Sequence, residues 1–164
     1  MLAGSLYYHF DSKDAIVEEI VEAYLAVLVD RCAEVVDTHP DGRSRLQALV
    51  AVSLEVAHAN ADANIIYQAN RAYFATEDRF DRIRALASRV HGFWSDAIDD
   101  GIREGTFRAD VNKRVFHRYV RDAVFLSSRW FTPTEPYLLL DLAGDTARIF
   151  LDGFIREPAE VKTS

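Results

Sequence analysis

The side chains that could perform acid–base or metal chemistry are scattered along this chain. It has five histidines: His9, His39, His58, His91 and His117. None of them shows the HxxxH or HExxH spacing of helical zinc sites, and no carboxylate cluster completes a metal site. Asp99 and Asp100 diverge by about 100° on a helix, which predicts a solvated face rather than a catalytic dyad. With no P-loop, GxGxxG or GxSxG motif, the sequence predicts no enzyme activity, no metal and no cofactor.

Arginines among aromatic residues favour a binding function instead. Arg71, Arg121 and Arg129 lie among aromatics on helices that we expect to surround a pocket: Tyr67, Tyr73, Phe74, Phe93, Trp94, Tyr119, Phe125 and Trp130. Taken singly, each aromatic is better explained as plain core. Arg121 is the sharpest candidate, because it lies in a largely apolar stretch where a charge should not be buried unpaired. It either binds a ligand, or pairs with Asp122 or an acid on a neighbouring helix, or faces solvent.

The composition is that of a globular protein built from helices. The 164 residues are 49% hydrophobic and 27% charged, with only seven glycines and four prolines. A net charge of −7 disfavours non-specific binding of nucleic acid. Cys32 is the one cysteine, so the chain can form no internal disulfide, and we expect a small buried hydrophobe there. Without a signal peptide or an apolar run long enough to span a bilayer, the expected location is cytoplasmic, with no membrane partner.

Apolar residues recur at helical spacing along almost the whole chain, and no segment reads as a convincing strand. The predicted helices cover about residues 12–36, 44–60, a stretch of similar length through 73 or 74, 77–103, 111–130 and 137–155. In the first helix we expect a buried face of Ile16, Ile20, Tyr24, Leu28 and Val35, and in the second one of Leu46, Leu49, Val50, Leu54 and Ala57. Gly105 is the expected stop of the 77–103 helix. About six long helices joined by short loops predict an all-α bundle.

The opening residues carry a family signal. Residues 4–10, GSLYYHF, and then residues 11–15, DSKDA, resemble the signature of the TetR family of transcriptional repressors. In that family this stretch is the recognition helix of a helix-turn-helix, followed by a long connecting helix. The resemblance implies DNA contacts from Ser5, Leu6, Tyr7, Tyr8, His9 and Lys13. An aromatic core segment would explain any one of these residues, but the complete string before a capped amphipathic helix favours the recognition helix.

The TetR-like helical bundle implied by this resemblance is incomplete at its DNA-binding head. The family places two helices before this stretch, whereas this chain starts inside the third. A recognition helix without its supporting pair cannot be packed or aimed, so we expect operator binding only through the full-length protein. A truncated form of the protein and translation from an internal start would each explain why the two preceding helices are missing from this sequence. The expected organisation is a remnant of the helix-turn-helix over residues 1–12, an effector-binding and dimerisation domain over 13–158, and a disordered tail over 159–164.

Several stretches of the body resemble a narrower group. They are residues 66–68, Trp94 with residues 99–110, and residues 118–130, which are similar to the KstR group of steroid (cholesterol) catabolism repressors. The effector of that group is a coenzyme A thioester of a steroid breakdown intermediate. The resemblance favours a ligand role for Arg121. Together with the aromatics and arginines described above, the expected effector contacts are Arg121, Tyr67, Arg71, Trp94, Tyr119, Phe125, Arg129 and Trp130. Phe125 stands where the group has tryptophan, which predicts a wider pocket or a different acyl group.

The sequence therefore predicts a repressor body that binds an acyl-CoA thioester and then releases operator DNA. The alternative is a helical ligand-binding and dimerisation module, without DNA binding in this form. Such a module would sense another hydrophobic ligand: a fatty acyl-CoA, a free steroid or a drug-like aromatic.

The last two helices are the dimer interface in the resembling family, which implies a homodimer. Gly144 and Gly153 lie nine residues apart in the final predicted helix. Because glycine weakens a helix interior by about 1 kcal/mol, two of them suggest close helix–helix approach, inside the core or across a two-fold axis. The expected interface comprises Leu138, Leu142, Gly144, Ile149, Phe150 and Gly153.

Overall fold

The computed structural model describes residues 13–153, which form seven α-helices and two short 3₁₀ turns and contain no β-strand. The order is α1 (Lys13–Thr38), α2 (Gly42–Ala59), α3 (Ala61–Ala69), α4 (Arg71–Thr76), a 3₁₀ turn (Asp78–Phe80), α5 (Asp81–Arg103), α6 (Lys113–Phe125), a second 3₁₀ turn (Ser127–Arg129) and α7 (Leu139–Asp152). The predicted all-α bundle is confirmed. None of the helices in this part of the chain is long and apolar enough to cross a membrane.

Two of the predicted features lie outside the described residues. The recognition-helix remnant with Ser5, Leu6, Tyr7, Tyr8 and His9 precedes Lys13, and the predicted tail 159–164 follows residue 153. The domain boundaries therefore stay predictions. Lys13 is exposed at the first turn of α1.

Helix α2 is the central element of the bundle, because α1, α5, α6 and α7 all pack against it. All five apolar residues expected on its inner face are buried. Its start lies close to the end of α5: a Cβ added to Gly42 would lie 2.2 Å from the backbone nitrogen of Gly101. Only glycine at position 42 permits this crossing, which fixes the position of α5, one wall of the candidate site.

Local polar contacts set several helix ends. Asp41 Oδ1 accepts a hydrogen bond from the Ser44 backbone N–H at 2.9 Å and caps α2. Asn112 Oδ1 caps α6 in the same way, accepting from the N–H of Arg114 at 3.0 Å. Gly105 has φ of +75° just beyond α5, which confirms it as the residue that ends this helix.

Two predicted helices are shorter or more broken than expected. The stretch after Asn60 forms α3 and α4 rather than one helix, because Asn70 bonds its own preceding turn: its Nδ2 donates to the carbonyl of Ile66 at 2.8 Å. The helix predicted over residues 111–130 ends at Phe125. There Ser127 Oγ donates to the carbonyl of Val124 at 2.6 Å, and a 3₁₀ turn follows.

The buried face of α1 differs from the predicted one at Ile20, which is 42% exposed, whereas Val21 is buried. Residues four apart advance by about 40° around a helix, so a series continued every four residues leaves the buried face. Cys32 on this face is fully buried, as expected. Burial raises the pKa of its thiol to about 12, although the neighbouring hydroxyl of Ser53 in α2 acts in the opposite direction.

Candidate functional site

A cavity of about 610 Å³ lies among helices α1, α3, α4, α5 and α6; we call it the main cavity. Five of the eight predicted effector residues line it: Tyr67, Arg71, Trp94, Arg121 and Phe125. Apolar side chains from α1 and α5, among them Leu25, Leu28 and Ile83, complete the wall. The volume lies within the range of about 300–1,000 Å³ that small-molecule pockets occupy.

The other three predicted effector residues lie outside this cavity, which corrects the expectation that they line it. Tyr119 is 64% exposed, because it lies two positions from Arg121 on α6 and points to the opposite side of that helix. Arg129 and Trp130 are exposed as well. The chain leaves the α6 axis after Phe125, so these two residues do not continue the helix face that lines the cavity.

Arg121 is held by one acid and retains further donor capacity. Its Nη2 donates to Asp122 Oδ1 at 2.9 Å, and its side chain is only 18% exposed. Its Nε is buried with no hydrogen-bond partner in the part of the chain that the structure describes. Burial lowers the pKa of this guanidinium, while the hydrogen bond to Asp122 acts in the opposite direction. Because arginine stays charged despite such shifts, Arg121 places a guanidinium cation at the cavity wall.

A stack of aromatic rings forms the wall between α5 and α6. The rings of Trp94 and His117 are 6.0 Å apart and nearly parallel, and His91 stacks on His117 at 4.6 Å. Ser95 Oγ lies 3.5 Å from His117 Nδ1. Burial lowers the pKa of His117 to about 4, and the charges of His91 and Arg121 act in the same direction. His117 is therefore neutral at pH 7.

A second space, the basic cleft, adjoins the main cavity. It measures about 500 Å³ and is lined by His91, Ser95, Ile98, Lys113, Arg114, His117, Arg118 and Arg121. Four of these residues also line the main cavity: His91, His117, Arg118 and Arg121. Three of the four cations are paired: Lys113 with Asp99 at 2.6 Å, and Arg118 and Arg121 with the single carboxylate of Asp122 at 2.6 and 2.9 Å. The concentration of positive charge suits an anion such as a phosphate.

Sequence reasoning missed most of the basic cleft. Metal-ligand spacing does not detect these histidines, whereas their sequence distance from the predicted site residues does. His91 precedes Trp94 by three positions, and His117 precedes Arg121 by four, so each pair shares one helix face. The same rule places Lys113 and Arg114 one turn before His117 and Arg118.

A buried hydrogen-bond network joins the cavity wall to α1. Tyr24 of α1 donates from its hydroxyl to Asn64 Oδ1 at 3.1 Å. Asn64 Nδ2 donates in turn to the carbonyl oxygen of Phe125 at 2.7 Å and to Ser128 Oγ at 2.8 Å. Asn64 is fully buried. The Asn64 side chain on α3 thus links α1 to the end of α6.

The predicted dimer residues are divided between the surface and the protomer core. Leu138 and Ile149 are exposed, whereas Leu142 is 8% exposed. Phe150 packs edge-on against Phe116 of α6. Leu142 and Phe150 therefore belong to the internal packing of α7, because they lie on the helix side that faces the bundle.

The two glycines of the final segment also differ. Gly153 ends α7 with φ of +82°, so its backbone conformation explains the glycine and close helix approach does not. A Cβ added to Gly144 would meet nothing within 4 Å. Gly144 therefore leaves an open strip on α7 rather than a close contact inside the protomer.

Comparisons with known proteins agree with this architecture. A tetracyclin repressor-like, C-terminal domain model matches residues 39–154. The HTH-type transcriptional repressor KstR2 of Rhodococcus jostii is 33% identical over 153 residues, covering 93% of this chain and 75% of that protein. The structure of the ketosteroid transcriptional regulator KstR2 of Mycobacterium tuberculosis has a TM-score of 0.84 at 32% identity, covering 96% of this chain and 80% of that chain.

A more distant solved structure shares the fold. It is AibR in complex with isovaleryl coenzyme A and operator DNA, with a TM-score of 0.75 at 17% identity, covering 91% of this chain and 80% of that chain. The family model covers most of the chain, and relatives above 30% identity match nearly all of it. The chain belongs to the TetR family of transcriptional repressors.

Proposed function

We propose that the main cavity and the basic cleft together bind the effector of this repressor, and that the effector is an acyl-CoA thioester of a steroid or lipid breakdown product. The observation that carries the proposal is the position of Arg121, which lines both spaces. A ligand that extends past Arg121 from one space into the other would place an apolar group in the main cavity and an anionic group in the basic cleft. The proposed function is regulatory, not catalytic.

The main cavity suits the acyl part. Its walls carry Leu25, Leu28, Phe74, Ile83 and Phe125, and burying apolar ligand surface against such side chains contributes about 25 cal/mol per Å². Phe125 is 5% exposed and lies beside Trp94, with ring centroids 6.4 Å apart. Because its ring is smaller than the tryptophan of the resembling group, we expect a wider pocket or a different acyl group here.

The basic cleft suits the phosphates of coenzyme A. Lys113, Arg114, Arg118 and Arg121 can provide charge-assisted hydrogen bonds to phosphate oxygens. The names of relatives support the ligand class: KstR2 of M. tuberculosis is a ketosteroid transcriptional regulator, and AibR was solved with isovaleryl coenzyme A and operator DNA.

Helix α1 is the element that we expect to transmit binding to the DNA-binding head. Besides the Tyr24–Asn64 hydrogen bond, ion pairs tie α1 to the cavity side of the molecule, with Arg79 bonded to Asp14 and Glu18 at 3.4 Å. We expect effector binding to favour a tilted α1. In a dimer, the tilt would change the separation of the two recognition helices and weaken operator binding. Such a repressor acts in the cytoplasm, where its operator is accessible.

The proposed assembly is a homodimer formed through α6 and α7. Exposed apolar side chains lie on both helices: Val115 and Tyr119 on α6, and Leu140 and Ile149 on α7. The open strip at Gly144 lies one turn from Leu140. Exposed apolar surface of this kind marks interaction sites in soluble proteins.

The effector assignment is tested by calorimetric titration with a panel of acyl-CoA thioesters, free steroids and free fatty acids. We expect a CoA thioester to bind and the free steroids and fatty acids to bind more weakly. Arg121→Ala should weaken CoA thioester binding about tenfold or more, since hydrogen bonds to a charged group contribute about 1.5–3 kcal/mol. Arg129→Ala is the matched control, because Arg129 is exposed and lines neither space.

Two results would overturn the proposal: no binding of any CoA thioester, or equal affinities for the Arg121→Ala and Arg129→Ala variants. Operator release requires a second experiment, in which the operator complex of the repressor is titrated with the same ligands. There the thioester that binds should loosen the operator complex, and Arg121→Ala should raise the concentration needed.

A further inference from the structure

Three buried nitrogens beside the main cavity have no hydrogen-bond partner among residues 13–153: Trp94 Nε1, His117 Nε2 and Arg121 Nε. Trp94 is 1% exposed and His117 is 7% exposed. The fourth unpartnered buried side-chain atom in this region, Ser53 Oγ, lies in the core beside Cys32. Unsatisfied buried donors are rare and costly in native proteins, so three of them at one cavity indicate an acceptor that is supplied by a ligand.

The three nitrogens belong to side chains of two facing helices that line the same cavity. Trp94 projects from α5, and its ring lies parallel to that of His117 from α6, with an angle of 6° between them. Arg121 follows His117 by one helical turn, so the two side chains share a face of α6. Because Asp122 engages Nη2 of Arg121, the Nε–H remains for another acceptor.

His117 can act as a donor without carrying a charge. Its pKa of about 4 keeps the ring neutral at pH 7. Ser95 Oγ lies 3.3 Å from His91 Nε2 and 3.5 Å from His117 Nδ1. In the tautomer in which His117 Nδ1 accepts, the single ring proton lies on Nε2. All three nitrogens then present N–H groups, and an oxygen acceptor satisfies them.

We propose that these three N–H groups bind the thioester carbonyl oxygen of the effector. This inference rests on the proposed function. His117 and Arg121 line both the main cavity and the basic cleft. They therefore mark the place where the acyl group of an acyl-CoA meets the coenzyme, and the carbonyl is the acceptor at that junction.

Because the donors are buried, binding of the carbonyl is also expected to move the cavity wall. Each nitrogen is closed to solvent, so an oxygen reaches it only when α5 and α6 part slightly. The bound state then satisfies donors that the compact state leaves without partners. A ligand shifts a conformational equilibrium only through such differential interactions, so the carbonyl couples binding to movement of the cavity wall.

The test uses two ligands that differ by one group: octanoyl-CoA and S-octyl-CoA, in which the carbonyl is replaced by CH₂. Isothermal titration should give about tenfold or more tighter binding of octanoyl-CoA. Trp94→Phe and His117→Phe each remove one donor and keep an aromatic ring, and each should reduce this preference to about threefold or less. His58→Phe is the matched control, since His58 also bonds a serine, Ser127, at 3.0 Å but lines neither space.

The possible outcomes separate the two proposals. Equal binding of the two ligands by the unmodified protein overturns the carbonyl site and leaves the effector assignment intact. Binding of neither ligand overturns the carbonyl site, and it overturns the effector assignment as well when no other CoA thioester of the panel binds. An unchanged preference in the folded His117→Phe variant also refutes the carbonyl site, and this variant decides the question if Trp94→Phe does not fold. Circular dichroism establishes the folding of each variant beforehand.

Discussion

Asn64→Leu is expected to destabilise the protein by more than one hydrogen bond contributes. Asn64 is fully buried, accepts from Tyr24 and Gln68, and donates to Phe125 and Ser128. Leucine fills a similar volume but leaves the Tyr24 hydroxyl and the Phe125 carbonyl buried without partners. Each such group costs about 1–3 kcal/mol, so the expected loss in the free energy of unfolding is about 4 kcal/mol.

The measurement is urea unfolding followed by far-ultraviolet circular dichroism. Tyr24→Phe serves as the graded comparison: it removes one donor, while Gln68 still donates to Asn64 Oδ1 at 3.3 Å, so about 1 kcal/mol should be lost. Native proteins have free energies of unfolding of about 5–15 kcal/mol. Both variants should therefore stay folded enough for their unfolding to be measured over most of this range. An Asn64→Leu loss below about 1 kcal/mol, or one equal to that of Tyr24→Phe, would refute the reasoning about the network.

Three further predictions concern other parts of the molecule. Between pH 6.5 and 4 the free energy of unfolding should fall by about 3 kcal/mol through His117, because the unfolded chain takes up a proton that the native ring, with its pKa of about 4, does not; urea titrations at each pH should show a smaller fall for His117→Phe. Gly42→Ala should cost about 1–3 kcal/mol in thermal unfolding, since its Cβ would meet the Gly101 backbone at 2.2 Å, whereas Gly144→Ala meets nothing and should leave the protomer intact. Leu140→Asp, at an 81% exposed position, should shift sedimentation from dimer toward monomer with unchanged circular dichroism, and a persistent dimer would contradict the proposed interface.

Periodicity predicted the helices because burial on one face imposes the spacing on the sequence. It worked best in α2, where every expected core residue is buried. It failed where a side chain competes with the backbone, as at Asn70, and where the chain leaves a helix through a 3₁₀ turn, as after Phe125. Those events depend on single hydrogen bonds, which leave no periodic signal.

The candidate site was predictable in part for a similar reason. Arg121 stood out because a cation in an apolar stretch is unusual, and the structure places it at the cavity. Tyr119 lies on the opposite side of the same helix, a distinction that residue type alone does not make. The basic cleft needed the packing of α5 against α6, since its cations come from positions that look like an ordinary solvated helix surface.

Because Cys32 is buried and is the one cysteine of the chain, the reactivity of its thiol can be used to measure opening of the bundle. With its pKa near 12 and no exposed surface, the sulfur cannot react with an alkylating reagent while α1 stays packed on α2. The rate at which a reagent labels the protein therefore reports how often the connecting helix lifts away from the core. Comparing that rate with and without a bound effector would show whether binding loosens or holds α1, with no probe introduced into the protein.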